Sequence, residues 1–282
     1  MATPRPRGAT GSFGSSGRLG VHPLRWPLGG DSGSVLGLVS DETWVVEELR
    51  ATLFRVPSPS DYGTWTRLTG EPPANQSANP RTHTYHEDGP FLGGLLSVDV
   101  TLDRHDVRLS VLTEDPAQAA TSSLGHLDVA CNPFRELCER WVRGQPASWR
   151  RIALGVNARL HVPTPAAGYE RLAKYLPAVR LSPNSSDFFY QINRRRTSNA
   201  VAGLSINRLS RWSVQRIQFA SFAVGRVARP AIYGEPIHSC RAELDINTAA
   251  EHEGDLTADM VAALLPELQS LAGELLEVGD VE

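Results

Sequence analysis

The chain has 282 residues, 41% of them hydrophobic and 21% charged, with a formal net charge of −3 from 28 basic and 31 acidic side chains. A chain of this length and make-up buries a full core without disulfide or metal, and it is neither disordered throughout nor fibrous. No apolar run approaches the ~18 residues of a membrane span, and a charge so near balance selects neither nucleic acid nor a membrane surface.

Lys174 is the single lysine among the 28 basic residues. The skew covers the whole chain, so it reads as the codon bias of a GC-rich genome rather than as a phosphate site. Cys131, Cys138 and Cys240 are odd in number and lack metal-ligand spacing. They read as reduced, buried thiols of a cytoplasmic protein.

Residues 1–34 carry four arginines among repeated Gly, Ser and Pro, without the apolar core of a secretory signal. They are predicted to be a disordered basic tail. Gly30-Asp31-Ser32-Gly33 spells the tetrad around a trypsin-like nucleophile. That chemistry needs a base and an orienting carboxylate on a preceding barrel, and almost no chain precedes it. Residues 35–90 read as an irregular N-terminal segment. Within it, 43–56 is a strand or short helix broken by Pro57, Pro59 and Gly63, and 70–90, with four prolines, is a long loop. His83 and His86 lie in that loop beside Glu87 and Asp88, with no third ligand to complete a metal site.

An α+β domain is expected over 91–282. Leu95–Leu102 and Val107–Leu112 alternate around a turn and form a hairpin. Asn132 caps a helix running to Arg143, with Pro133 in its first turn. Trp149–Val162 is a strand and Ala166–Tyr175 a short helix. Phe188–Arg195 and Ala202–Leu209 pair with Ile192 opposite Ile206, which puts Tyr190, Ile192, Leu204 and Ile206 on one face. Gln191, Asn193, Ser205 and Asn207 take the other. Trp212–Phe222 and Ile237–Asn247 continue the sheet, and 257–277 closes the chain as an amphipathic helix with Pro266 expected to kink it. The class is α+β: an antiparallel sheet of two similar strand-rich halves, covered by helices and ending in a long amphipathic C-terminal helix.

The stretches "WRRIALGVNARLHVP", "FFYQINRRRTS" and "AELDINT", followed by a leucine-rich terminal helix, resemble a sporadically distributed bacterial family without an assigned activity. The likeness spans roughly residues 91–282. It implies a bacterial accessory protein carried in a mobile or antiviral gene cluster, and it transfers no catalytic residue.

No glycine-rich phosphate loop, metal-ligand set or activated nucleophile is legible, so no cofactor, metal or catalytic residue is assigned. The strongest local signal is charge. Phe188 to Gly234 holds eight arginines and no acid, with aromatics interleaved, a pattern that single-stranded nucleic acid can use. Residues 235–282 hold twelve acids against Arg241 alone. These acids are expected to fold back on the arginines and cancel their field, through Asp255, Asp259 and Glu267 in particular. Glu243 and Asp245 share the polar side of "AELDIN".

The leading expectation is a non-enzymatic binding or adaptor protein of a bacterial multi-component system, with a protein partner and no membrane. It would engage that partner through a polar sheet face carrying Gln191, Asn193, Arg195, Ser205, Asn207, Arg208, Arg211, Glu243 and Asp245. Two alternatives stand beside it: nucleic-acid or phosphate-ligand binding by the arginine band, and an enzyme using Glu243 and Asp245.

Overall fold

The computed structural model describes residues 43–57, 63–113, 118, 120–145, 148–221 and 231–281. The expectations for residues 1–34 and for Gly30–Gly33 lie outside the described residues. Nine strands form one antiparallel sheet: β1 (Val45–Arg55), β2 (Asn75–Asn79), β3 (Thr84–Phe91), β4 (Gly94–Val100), β5 (Arg104–Ser110), β6 (Trp149–Val162), β7 (Phe189–Thr197), β8 (Ser205–Ser221) and β9 (Ala231–Thr248). The helices are α1 (Thr64–Thr69), α2 (Leu127–Arg143), α3 (Pro165–Tyr175) and α4 (Ala258–Val278).

The spatial order β2-β3-β4-β5-β1-β6-β9-β8-β7 exposes an internal repeat. In each half a first strand is followed by a helix, then a meander whose last strand returns to pair with the first, then a long helix. β1 pairs with β5 and β6 with β9, and the halves join where β1 meets β6. β2 is an addition at one edge.

All four helices pack on the same side. In β6, Ile152, Leu154, Val156, Ala158 and Leu160 are buried toward them, as period-two alternation requires. α2 presents Phe134, Leu137, Cys138 and Trp141, and α4 presents Val261, Leu264, Leu268 and Leu275. Each large side chain so buried stabilises the fold by roughly 1.5–3 kcal/mol. Trp44, Tyr175 and Trp212 meet edge-on and stacked at 5.5–5.9 Å between ring centres, tying β1, α3 and β8 together. α1 is capped from the sheet: the buried Glu87 carboxylate accepts from the backbone N–H of Gly63 at 3.0 Å and of Trp65 at 2.8 Å.

Several boundaries differ from expectation. The loop foreseen over 70–90 contains β2 and β3. β2 lies at the sheet edge with all five residues exposed, so burial imposes no alternation that a pattern could reveal. α2 starts at Leu127 rather than at an Asn132 cap, because Ala130 and Cys131 extend its buried stripe backward. Pro133 then lies inside the helix and leaves the Val129 carbonyl without a donor, at a residue 67% exposed where water serves instead. Trp212 opens no new strand, since β8 runs on to Ser221. α4 runs unbroken through Pro266.

The β7–β8 register is displaced by four residues. Ile192 faces Ser210, and Ile206 faces Arg196. An even displacement keeps every side chain on its expected face, so the two faces are as foreseen although the pairs are not.

The three thiols are buried, and burial pushes Cys131 and Cys240 up to about 12 and Cys138 higher still. The folded protein is therefore expected to leave Ellman's reagent unreacted at about pH 8, all three thiols titrating only after unfolding. Rapid reaction of any one in the folded state would contradict its placement.

Candidate functional site

Among the described residues no helix covers the second side of the sheet. Because helices line only the first side, alternation sends the polar member of nearly every strand pair to the second. Registers align these side chains in rows. One row runs Asn75, Asp88, Ser97, Arg108, Arg50, Gly155, Asp245, Leu209, Asn193 across all nine strands. The row beside it holds Ser110, Glu48, Asn157, Glu243, Arg211 and Gln191.

Eight of the nine residues singled out from the sequence lie on this face. Arg211 Nε donates to Gln191 Oε1 at 2.9 Å. Asn193 Nδ2 and Arg195 Nε both donate to Asn207 Oδ1, at 3.1 and 3.0 Å. Asn207 Nδ2 donates to Asn247 Oδ1 at 3.0 Å, and Asn247 Nδ2 to Asp245 Oδ1 at 3.0 Å. Arg195 reaches Glu251 at 2.6 Å. Glu243 accepts from Arg241 Nε at 2.9 Å. Ser205 sits at the far end of the face, opposite Thr197.

Arg208 is the correction. Even-numbered residues of β8 point to the helices, and Arg208 is 1% exposed beneath α4 with Glu274 Oε1 at 3.3 Å. Glu274 also receives both ends of the Arg196 fork at 2.9 and 2.6 Å. Asp280, just past α4, takes Arg194 Nε at 2.6 Å and the Tyr190 hydroxyl at 3.0 Å. Burial pulls the Arg208 guanidinium below its usual pKa against the opposing pull of Glu274.

The acids of residues 235–282 thus do meet the arginine band, but through Glu274, Asp280, Glu251 and Glu243. Asp255 pairs instead with Arg150 at 3.1 Å, and Glu267 accepts from Ser198 Oγ and the Asn199 N–H at 2.6 Å each, closing the β7–β8 turn. Of the band's aromatics, Trp212 is fully buried on the helix side and Phe189 is 64% exposed.

Sequence reasoning missed the other half of the face: Glu48, Arg50 and Thr52 on β1, Arg104, Asp106 and Arg108 on β5, Gly155 and Asn157 on β6. Their signal was the polar alternation of "EELRAT" and "RRIALGVNAR", which read only for its apolar side. Thr52 Oγ1 donates to Asp106 Oδ1 at 2.5 Å, and Arg104 Nε sits 2.7 Å from Asp106. Glu47 takes Arg159 at 2.7 Å and Arg241 at 3.3 Å. Around Gly155 a depression of about 190 Å³ opens, walled by Arg50, Arg211, Glu48, Glu243 and Asp245.

His86 stands between two carboxylates, Nδ1 2.8 Å from Asp99 Oδ1 and Nε2 2.9 Å from Asp88 Oδ2. A larger hollow, about 900 Å³, lies on the helix side between α2 and α4. Its polar groups are engaged with one another: Arg135 Nε donates to Gln269 Oε1 at 3.0 Å, and Gln269 Nε2 donates to Asn132 Oδ1 at 2.8 Å. Among the described residues no group of three His, Cys, Asp or Glu side chains is placed to hold a metal ion. Nor is any helix there long and apolar enough to cross a membrane.

The fold and the site define a class: an α+β protein whose nine-stranded antiparallel sheet is covered by helices on one side and presents a charged mosaic on the other. No protein-family model and no curated protein matches the chain.

Two predictions follow from the geometry. Glu274 neutralises Arg208 in a largely dry site but is itself 30% exposed. Glu274→Gln is therefore expected to cost about 2–4 kcal/mol in denaturant unfolding, whereas Arg196→Gln, at a 37% exposed partner, costs under about 1 kcal/mol. Equal costs would show that Arg208 is not the charge that matters. For His86, burial is the largest single influence and lowers the pKa. The hydrogen bonds and charges of Asp99 and Asp88 together outweigh it and raise the value above 6.5. The stability this cation contributes is complete below the unfolded value and is lost as pH rises through the folded one. The stability gap between the wild-type chain and His86→Gln is thus expected to be widest near about pH 5.5 and to shrink by about pH 8. A gap that widens with pH would reverse the assignment.

Proposed function

We propose that this chain is a binding protein without a reaction of its own, an adaptor that holds a protein partner against the uncovered sheet face. The observation that carries the reading is the make-up of that face. Cations and carboxylates alternate along and across β5, β1, β6, β9 and β8, each within reach of the opposite sign. A surface of this kind complements another mixed surface and fixes its register through electrostatic matching. The resemblance of residues 91–282 to bacterial accessory proteins supports placing the chain in a multi-component system, of the kind that mobile or antiviral clusters encode.

A polyanion fits less well. Five of the eight arginines in the acid-free band have carboxylate partners, namely Arg194, Arg195, Arg196, Arg208 and Arg211. Arg216 donates to Gln218, and Arg226 and Arg229 lie outside the described residues. The aromatic ring nearest their centre, Trp212, is buried and cannot stack on a base. Catalysis by Glu243 and Asp245 would need a free carboxylate. Glu243 is held by Arg241 and Asp245 by Asn247.

Photo-cross-linking in the native host tests the reading. A benzophenone amino acid replacing Asn193, on the polar face, is expected to give discrete protein adducts, while the same group replacing the exposed Glu136 of α2 gives none. Nucleic-acid adducts at Asn193 would promote the arginine-band reading in its place. Protein adducts from Glu136 alone would move the interface to the helix side and overturn the proposal.

A further inference from the structure

We infer that the depression over Gly155 receives one carboxylate of the protein partner, with Arg50 as its principal donor and Arg211 on the opposite wall. This rests on the reading of the sheet face as a docking surface and names the group that the surface recognises.

Arg50 and Arg108 stand directly opposite each other on β1 and β5. Like charges so placed repel unless something neutralises them. Among the described residues neither guanidinium donates a hydrogen bond, and the Nε of each is buried without a partner. The nearest carboxylates lie at 4.0 Å for Arg50, from Asp245, and at 3.7 Å for Arg108, from Glu48. Arg211 Nη1 stands off Glu243 by 3.8 Å. Charge-assisted bonds close at about 2.7–2.9 Å, and elsewhere on this face they do: Arg195–Glu251 at 2.6 Å, Arg104–Asp106 at 2.7 Å, Arg241–Glu243 at 2.9 Å. The ion pairs are open only where they border the depression.

Gly155 explains the opening. It stands between Arg50 and Asp245 in the row that crosses the sheet, and with no side chain there Arg50 must reach over an empty position. A Cβ at 155 would sit 3.4 Å from Arg50 Nε, in ordinary contact, so the space is usable rather than forbidden.

Size and sign choose the occupant. At about 190 Å³ the depression falls below the usual range of small-molecule pockets, ~300–1,000 Å³, and suits a single side chain or a chain end. The ion-pair cluster around it joins Arg50, Arg108, Arg159, Arg211 and Arg241 to only Glu47, Glu48, Glu243 and Asp245. One arginine is left over, which one carboxylate balances. A doubly charged phosphate or a polyanion would overshoot and meet the wall of Glu48, Glu243 and Asp245.

The test is a titration of the full-length protein followed by NMR of arginine Nε–H groups, with Arg50 assigned by its absence in Arg50→Lys. Sodium acetate at constant ionic strength, balanced with chloride, is expected to move the Arg50 signal along a saturable curve while the exposed Arg195 stays linear. Gly155→Ala, which fills the space, raises the acetate midpoint at least tenfold, and its unfolding midpoint stays at the wild-type value. Arg211→Gln raises it severalfold. No saturable response at Arg50, or saturation by inorganic phosphate at a tenfold lower concentration, would overturn the carboxylate site. Protein adducts at Asn193 that persist in Arg50→Gln would do the same while leaving the docking reading intact. Acetate saturation without any protein adduct at Asn193 would instead overturn the docking reading and, with it, the assignment of the carboxylate to a protein.

Discussion

The antiparallel contact of β1 with β6 is the interaction on which the rest of this protein depends. Leu49 opposite Val156 and Ala51 opposite Leu154 join two four-strand halves into one continuous layer. Neither half could bury its strands alone, because each brings only one long helix to its own side. Joined, the halves place α2 and α4 next to each other over the sheet centre, where their apolar stripes close a shared core. Every polar residue of the strands is thereby committed to the opposite surface. The charged face is thus the necessary complement of a one-sided core rather than a feature added to it.

Charge within the second half obeys the same geometry. The arginines of β7 and β8 alternate sides, so a basic stretch that looks continuous in sequence divides in space. Arg194, Arg196 and Arg208 turn under the C-terminal helix and are met by Glu274 and Asp280. Arg195 and Arg211 turn outward to Glu251 and Glu243. The inward set locks α4 and the residue just beyond it onto the sheet. The outward set contributes to recognition. Reading a band of arginines as one binding surface fails here because a strand shows each surface only half of its residues.

What the sequence revealed followed from local patterning. β6 was bounded correctly at both ends because its alternation is long and flanked by turn residues, and the β4–β5 hairpin and α3 were plain for similar reasons. The β7–β8 register was not legible. Displacement by four preserves both faces, and the true pairing is set by β9 and by where Arg208 finds Glu274, contacts distant in the chain. β2 was invisible because an exposed edge strand needs no hydrophobic side. The site divides in the same way. Its β7–β9 portion could be assembled from neighbours in sequence, whereas Arg50, Arg108 and Gly155 become one site only after β1 is known to lie between β5 and β6. No local signal carries that adjacency.

The make-up of the face also bears on how it binds. Its centre is nearly free of large apolar side chains, with Leu209 half-buried in the row and Phe189 exposed toward its margin. Association there gains little from removing hydrocarbon from water and must draw on charge pairs and hydrogen bonds. Exposed pairs of this sort are each worth only ~0–1 kcal/mol and are screened by salt. A mosaic of them selects a partner and its orientation without holding it tightly. Strength has to come from a point where water is excluded and a charge finds a better partner than it had before. The row Arg108, Arg50, Gly155, Asp245 supplies such a point: two guanidiniums, an empty position, and a carboxylate too far away to close the bond.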